Sequence, residues 1–338
     1  MIRYEQFWSG RPVFVTGATG LLGGWLVRAL HIAGAEVTVL LRDSVPKSMF
    51  IRDGWMDRVR VVHGDIRDAS LLRRVFSEYS IETILHVAAQ ALVGVAKADP
   101  VSTLETNVQG TWTVLDAARQ SGVGQIVVAS SDKAYGIPDR LPYDEEHRLH
   151  GTFPYEVSKS CADLICSMYA ATYGLPVCVT RCANLFGGGD LNFSRSVPGA
   201  IRASLEGKRF QIRSNGKSVR DFLYVKDAVA AYMRTVECLA ADPGLAGEAF
   251  NFSLETPMNV LALVNLIYRL TGADQLSPEV LNIADSEIPE QYLSSEKARR
   301  VLNWHPAFSM ESGLLETIEW YRRFLGHPAE IMAGVAVS

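Results

Sequence analysis

Pro12-Val13-Phe14-Val15-Thr16-Gly17-Ala18-Thr19-Gly20-Leu21-Leu22-Gly23-Gly24 is the stretch from which the rest of the chain is read. Its first five residues are a short apolar run of the kind that forms a buried strand. Gly17, Gly20 and Gly23 then follow the spacing G-x-x-G-x-x-G, and a helix-like segment, Trp25 to Ala33, comes next. Glycines so spaced permit a tight turn and let the main chain approach a pyrophosphate at a helix N-terminus. Thr19, Leu21 and Leu22 lie between them and are candidates for the same ligand. A glycine triplet alone is a weak signal. Set between a strand and a helix, it points to a dinucleotide.

Working outward, the next strand, Glu36 to Leu41, ends in Arg42-Asp43. An acid there holds the ribose 2′-hydroxyl of NAD, and an arginine favours the 2′-phosphate of NADP. Both are present, and both can be solvated loop charges, so NAD and NADP stay open. Val59 to Val62 is a further strand, and Asp65 and Ile66 beyond it are placed to flank an adenine or to form an Asx turn. A helix over Ser70 to Tyr79 leads to the strand Thr83 to Val87. The small residues Ala88 and Ala89, with Gln90, would let a cofactor lie against the main chain. His86 sits in an apolar run and reads as packed within its strand. Asn107 opens a helix that continues to Arg119, where it is either a cofactor-side residue or a helix-terminus hydrogen-bonder. This alternation gives an α/β class with a doubly wound parallel sheet.

Composition sets limits on the function. A chain of 338 residues, 48% hydrophobic and with a formal charge of −4, has room for one large α/β domain and a smaller one. The charge is mixed in sign without a long basic run, which argues against a nucleic-acid partner. No apolar run is long enough to span a bilayer, and Met1 to Gln6 lacks the apolar core of a signal peptide, so a cytoplasmic location is expected. The five cysteines are odd in number and form no Cys-x-x-Cys pair, as expected of buried free thiols and not of disulfides or a zinc site. No metal is expected.

The chemistry is read further on. Gln125 to Ala129 is a β-branched run, so Ser130, Ser131, Asp132 and Lys133 fall where a strand ends. In an open parallel sheet that is where ligands sit. Pro154 suits the first turn of a helix, and Tyr155 to Tyr169 runs at helical spacing. Tyr155 and Lys159, four apart, share a face. A neighbouring ammonium favours the phenolate, which would make Tyr155 a general base. Tyr-x-x-x-Lys alone is equally an ordinary exposed helix pair.

Taken together, Gly17-x-x-Gly20-x-x-Gly23, Asp65-Ile66, Ala88-Ala89, Asn107, Tyr155-x-x-x-Lys159 and Arg220-Asp221-Phe222-x-Tyr224-Val225-x-Asp227 resemble the extended short-chain dehydrogenase/reductase family, in its nucleotide-sugar epimerase and dehydratase branch. The resemblance runs from about Phe7 to Trp320. It is nearest to CDP-glucose 4,6-dehydratases, through Phe7-Trp8-Ser9-Gly10-Arg11, Gly23-Gly24-Trp25-Leu26, Ser131-Asp132-Lys133 and Phe186-Gly187-Gly188-Gly189-Asp190. The chain departs from those enzymes at Ala18-Thr19, Leu21-Leu22 and Arg220-Asp221-Phe222, which leaves base and sugar open.

The resemblance implies a Rossmann-like NAD(P) domain over 1–182, with 218–254 returning to it, and a smaller, discontinuous nucleotide-sugar domain over 183–338. It implies a tightly bound, recycled NAD or NADP and a homodimer or homotetramer paired through a four-helix interface. Ser131 and Tyr155 would hold the C4 hydroxyl of an NDP-hexose, with Tyr155 taking its proton and Lys159 holding the nicotinamide ribose. Asp132 would protonate the departing C6 hydroxyl and Lys133 would remove the C5 hydrogen, giving a 4-keto-6-deoxy sugar. Asn184 and Arg220 would grip the diphosphate, with Arg195 a further substrate-side candidate; Arg213 reads either as facing the nucleotide or as a solvated charge, and Tyr292 either as stacking on the base or as a half-buried aromatic. Asp221 and Asp227 read as structural caps or ion partners. The alternatives are a 4-epimerase using Ser131, Tyr155 and Lys159 alone, and a catalytically silent dinucleotide-binding scaffold or sensor. An amphipathic helix over Pro257 to Leu270 and a loose tail from His327 complete the reading.

Overall fold

The computed structural model describes residues 4–137, 139–283 and 288–327. The tail expected from His327 therefore falls, from 328 on, outside the described residues. Seven parallel strands make one sheet: β1 Pro12–Thr16, β2 Glu36–Leu41, β3 Arg60–His63, β4 Thr83–His86, β5 Gln125–Ala129, β6 Val177–Cys182 and β7 Ala249–Phe252. Their spatial order is β3-β2-β1-β4-β5-β6-β7. The direction of winding reverses between β1 and β4, so their carboxyl ends open a crevice at the switch point.

Both faces of the sheet are buried, which is why its strands read as unbroken apolar runs. Val13 and Val15 of β1 point to one face with Val37, Val39, Val127 and Phe250, and Phe14 points to the other with Ile84, Ile126 and Val128. The first face is covered by α1 (Leu21–Ile32), through Leu22, Leu26 and Leu30, and by Val225–Ala241. The second is covered by α2 (Ala69–Glu78), α3 (Gly110–Ser121) and α4 (Pro154–Tyr173). Asp68 starts α2 by accepting from the main-chain N–H groups of Ser70 and Leu71, both at 3.0 Å. The helix expected to begin at Asn107 is preceded by a wider, π-helical turn over Glu105–Gln109 that leads into α3.

A second layer faces the carboxyl ends of β5 and β6. It contains the parallel pair Asn184–Phe186 and Phe222–Tyr224, and a three-stranded group of Met258–Asn259, Val219–Arg220 and Glu290–Gln291. The helices Ser196–Leu205, Val260–Thr271 and Met310–Phe324 back it. Val260–Thr271 answers the helix expected over Pro257 to Leu270, and begins later because Asn259 caps it by accepting from Ala262 N at 2.7 Å. The five cysteines are free thiols, with Cys166, Cys178 and Cys182 buried. Among the described residues no helix is long and apolar enough to cross a membrane.

Candidate active site

The turn between β1 and α1 is built almost wholly of main chain. Gly17 has φ +78°, and a Cβ there would come within 2.8 Å of Ala88 N at the end of β4. A Cβ on Gly23 would lie 2.1 Å from Gly17 O, so no side chain fits while the turn closes onto α1. Gly20 is the N-cap of α1 and offers no side chain, which leaves the first N–H groups of the helix without an intrahelical partner. A close-approaching turn with free N–H groups and the positive end of a helix dipole fits a dinucleotide diphosphate. Thr19, Leu21 and Leu22 lie in this turn or open α1. Among the described residues no cluster of His, Cys, Asp and Glu is arranged to hold a metal ion.

The side chains predicted for the rest of the cofactor site are mostly held by other residues. Arg42 Nε and Asp43 Oδ2 pair with each other at 2.6 Å, both exposed beyond β2. Asp65 accepts from Arg67 N at 2.9 Å and Arg67 Nε at 3.0 Å, and that guanidinium holds its carboxyl below the usual range. It is the Asx-type turn. Ile66 is buried against Gly110. Ala88 N donates to Thr16 Oγ1 at 3.1 Å, and Ala89 follows it beyond β4. Asn107 Oδ1 accepts from Gln90 N at 2.8 Å, and its Nδ2 donates to Gln90 O at 3.0 Å and Ser158 Oγ at 2.9 Å. Asn107 thus clamps the loop after β4 to α4.

Ser131, Asp132 and Lys133 form the turn after β5. Its far end is anchored by Tyr135, whose hydroxyl donates to Asn251 Oδ1 and accepts from Arg181, each at 2.8 Å. Arg181 in turn forks onto buried Asp163 at 2.7 and 2.8 Å. The turn therefore stands on a buried, charge-paired footing. Ser131 Oγ donates to Asp132 Oδ1 at 2.9 Å, and Lys133 Nζ reaches the same oxygen at 3.2 Å and Asn184 Oδ1 at 3.1 Å. Asp132 is 1% exposed, and its second oxygen, Oδ2, is buried without a hydrogen-bond partner among the described residues. A buried carboxyl oxygen in that state is open to a donor brought to it.

Tyr155 and Lys159 are both buried on α4, one turn apart. The expected lowering of the phenol pKa by Lys159 does not occur among these residues. Burial first, and the Asp132 carboxylate second, push Tyr155 up to about 12, while the neighbouring Ser131 hydroxyl and the charge of Arg195 pull the other way. The Lys159 ammonium instead donates to Ala129 O at 2.8 Å, and burial lowers its own pKa to about 8. A buried ammonium needs an acceptor, and the carbonyl at the end of β5 supplies it.

The substrate-side candidates converge less closely. Asn184 does not present a free amide to a diphosphate: its Nδ2 donates to Asp221 O at 3.0 Å and its Oδ1 takes Lys133. Arg195 precedes the helix Ser196–Leu205, pairs with Asp190 at 2.9 Å and faces Tyr155 electrostatically. Arg220 Nη1 donates to Val219 O at 2.8 Å. Arg213 is exposed near the edge pair Gln211–Ile212 and Glu279–Val280. Tyr292 is half-buried, and its carbonyl accepts from Tyr143 N at 3.0 Å. One contributor escaped the sequence reading, and one that it gave a structural role braces a site residue. Gln291 Nε2 donates to Asp132 O at 3.2 Å, and Asp221, 0% exposed, holds Asn184 through its carbonyl. Nothing local marks Gln291, whereas Asp221 was visible within the Arg-Asp-Phe motif and read as structural.

Comparison with known proteins bears on this site. The family described as NAD dependent epimerase/dehydratase matches residues 13–252. A CDP-glucose 4,6-dehydratase of Salmonella typhimurium is 30% identical, over 95% of this chain and 93% of its own. A dTDP-glucose 4,6-dehydratase of Streptomyces venezuelae, solved with NAD bound, superposes with a TM-score of 0.84 at 31% identity, over 93% of this chain and 98% of its own. A UDP-glucose 4-epimerase of Thermotoga maritima, solved with UDP-glucose, gives the same TM-score of 0.84 at 26% identity, over 93% of this chain and 99% of its own.

Proposed function

The chain belongs to the NAD dependent epimerase/dehydratase family, and from that premise we propose that it is an NAD-dependent nucleotide-sugar 4,6-dehydratase acting on an NDP-hexose of the CDP-glucose kind. The observation that carries this reading is the trio Ser131-Asp132-Lys133, in which a buried carboxyl with an unpartnered oxygen touches an amine at 3.2 Å. NAD, when bound, supplies the hydride acceptor at C4 and the hydride donor at C6. The glycine turn would hold its diphosphate, Lys159 its nicotinamide ribose, and Arg42 and Asp43 stand where its adenine ribose would lie.

Ser131 and Tyr155 would hold the C4 hydroxyl, and Tyr155 takes its proton. Because the protein alone keeps that phenol protonated, a cation brought beside it is needed to lower its pKa. With C4 a ketone, the C5 hydrogen is acidic. A proton shift along the Lys133–Asp132 contact turns an ion pair into an amine and a carboxylic acid, with no change in net charge. That neutral pair is what an elimination needs. Lys133 takes the C5 proton, Asp132 gives a proton to the departing C6 hydroxyl, water leaves, and the ion pair is restored. Lys133 then returns its proton to C5 as C6 is reduced. The proton gained by Tyr155 and the one lost by Asp132 balance, and the Ser131 hydroxyl stands between them.

Residues 1–182 with 218–254 would form the cofactor side and 183–338 the sugar-nucleotide side, with Arg195, Arg213, Arg220 and Tyr292 toward the nucleotide. We further infer a homodimer pairing through α3 and α4, supported by exposed Trp112, Leu164 and Met168 on those helices. Incubation with CDP-glucose, dTDP-glucose and UDP-glucose tests the main reading. A 4-keto-6-deoxy product, recognised by its ultraviolet absorbance in alkali, is expected from one of them. An epimer with no such absorbance would leave a 4-epimerase that uses Ser131, Tyr155 and Lys159 alone.

A further inference from the structure

His86 closes β4, opposite Thr16 in the register of β1, and is 2% exposed. Its Nδ1 lies 2.8 Å from Thr16 Oγ1 and its Nε2 lies 3.3 Å from Thr111 Oγ1. The neighbouring bonds fix which atom carries the proton. The Thr111 hydroxyl donates to Asn107 O at 2.7 Å, so its oxygen can only accept from Nε2–H. Nδ1 is then bare and accepts from the Thr16 hydroxyl, whose oxygen takes the N–H of Ala88. Beyond Asn107 the chain of bonds continues through Nδ2 to Ser158 Oγ, and from the Ser158 hydroxyl to Tyr155 O at 2.7 Å. One path of buried hydrogen bonds thus runs from the residue before Gly17 to the main chain of Tyr155.

We propose that His86, fixed as the neutral Nε2–H tautomer, is a positioning residue that sets the distance between the dinucleotide turn and the helix carrying Tyr155 and Lys159. A second proton would sit on Nδ1, break the Thr16 bond and place another cation near Lys159, whose charge acts on this ring. Burial and that charge together lower the His86 pKa to about 3, so the neutral form persists through the working range. The inference rests on the NAD part of the functional reading and not on the dehydratase part, since an epimerase would need the same spacing.

Two measurements test it. Nitrogen-15 histidine NMR of the purified protein, with the His86 signal identified by its loss in His86→Asn, should show an Nε2–H ring that does not titrate between pH 8 and pH 5. An Nδ1–H tautomer, or protonation near pH 6.5, would overturn the proposal. NAD affinity, by titration into the purified proteins, should fall about five- to tenfold in Thr111→Val, which keeps the side-chain shape. Adding His86→Leu should weaken it no further, because one path is already cut. Wild-type affinity in Thr111→Val, or additive losses in the double variant, would overturn it. Thr111→Val and the NMR measurement decide the matter even where His86→Leu fails to fold. A wild type that makes an epimer but shows these effects would sink the dehydratase reading alone.

Discussion

Where β1 and β4 end, the wall of the crevice is main chain, with Gly17 against Ala88 and Gly23 against Gly17 leaving no room for a Cβ. Where β5 ends, the wall is side chain, with Ser131, Asp132, Lys133 and Asn184 bonded in series. On the proposed reading the first region receives a diphosphate by its N–H groups, through shape. The second holds groups that the proposed reaction would have exchange protons, and its outcome would depend on which atom carries each one.

Substitutions break this contrast in a definite order. Gly23→Val should have the largest effect: a branched side chain on a Cβ 2.1 Å from Gly17 O cannot be accommodated, and NAD binding by calorimetry should be lost. Asp132→Asn should leave C4 oxidation intact, read as nicotinamide absorbance, while slowing water loss by about 10²–10⁴. Equal loss of both steps would mean that the two regions are not separable in this way. Asn184→Ala should cost roughly tenfold in turnover through the loss of one charge-assisted bond at Lys133, with the Michaelis constant less affected. A larger rise in the Michaelis constant than fall in turnover would return Asn184 to the diphosphate role first expected of it.

The smallest effect concerns pH. Burial raises the Asp221 carboxyl from its ordinary 3.8 to about 6, so the folded state binds the extra proton between those values. Its stabilising contribution is therefore full below 3.8 and is lost as the pH rises through about 6. Asp221→Asn should flatten that part of the unfolding profile measured in denaturant. His86 acts in the opposite sense. Its pKa is lowered from 6.5 to about 3, so its contribution is present above 6.5 and disappears as the pH falls through that window.

These two regions were not equally legible from the residues. The glycine spacing is a backbone requirement, and the apolar runs of β1, β2 and β5 fall at the positions expected, because a strand buried on both faces leaves a local signature. The cluster proposed for catalysis was legible as chemistry but not as pairing. Residue spacing put Lys159 beside Tyr155, yet its ammonium went to Ala129 O. Asp65 was taken up by Arg67, two positions away. Asn184 was taken up by Lys133 and Asp221, 51 and 37 positions away. Gln291 reaches Asp132 across 159 positions. Such partners depend on where the second layer lands on the sheet, and short motifs do not carry that information.

The most direct test of the acid–amine account is turnover of the accepted NDP-hexose in deuterium oxide, followed by mass spectrometry and NMR of the sugar. The account predicts a 4-keto-6-deoxy product with solvent deuterium at C5, placed there by Lys133 after water has left, and loss of that product in Asp132→Asn. A product that keeps its C6 hydroxyl, with no deuterium at C5, would contradict it.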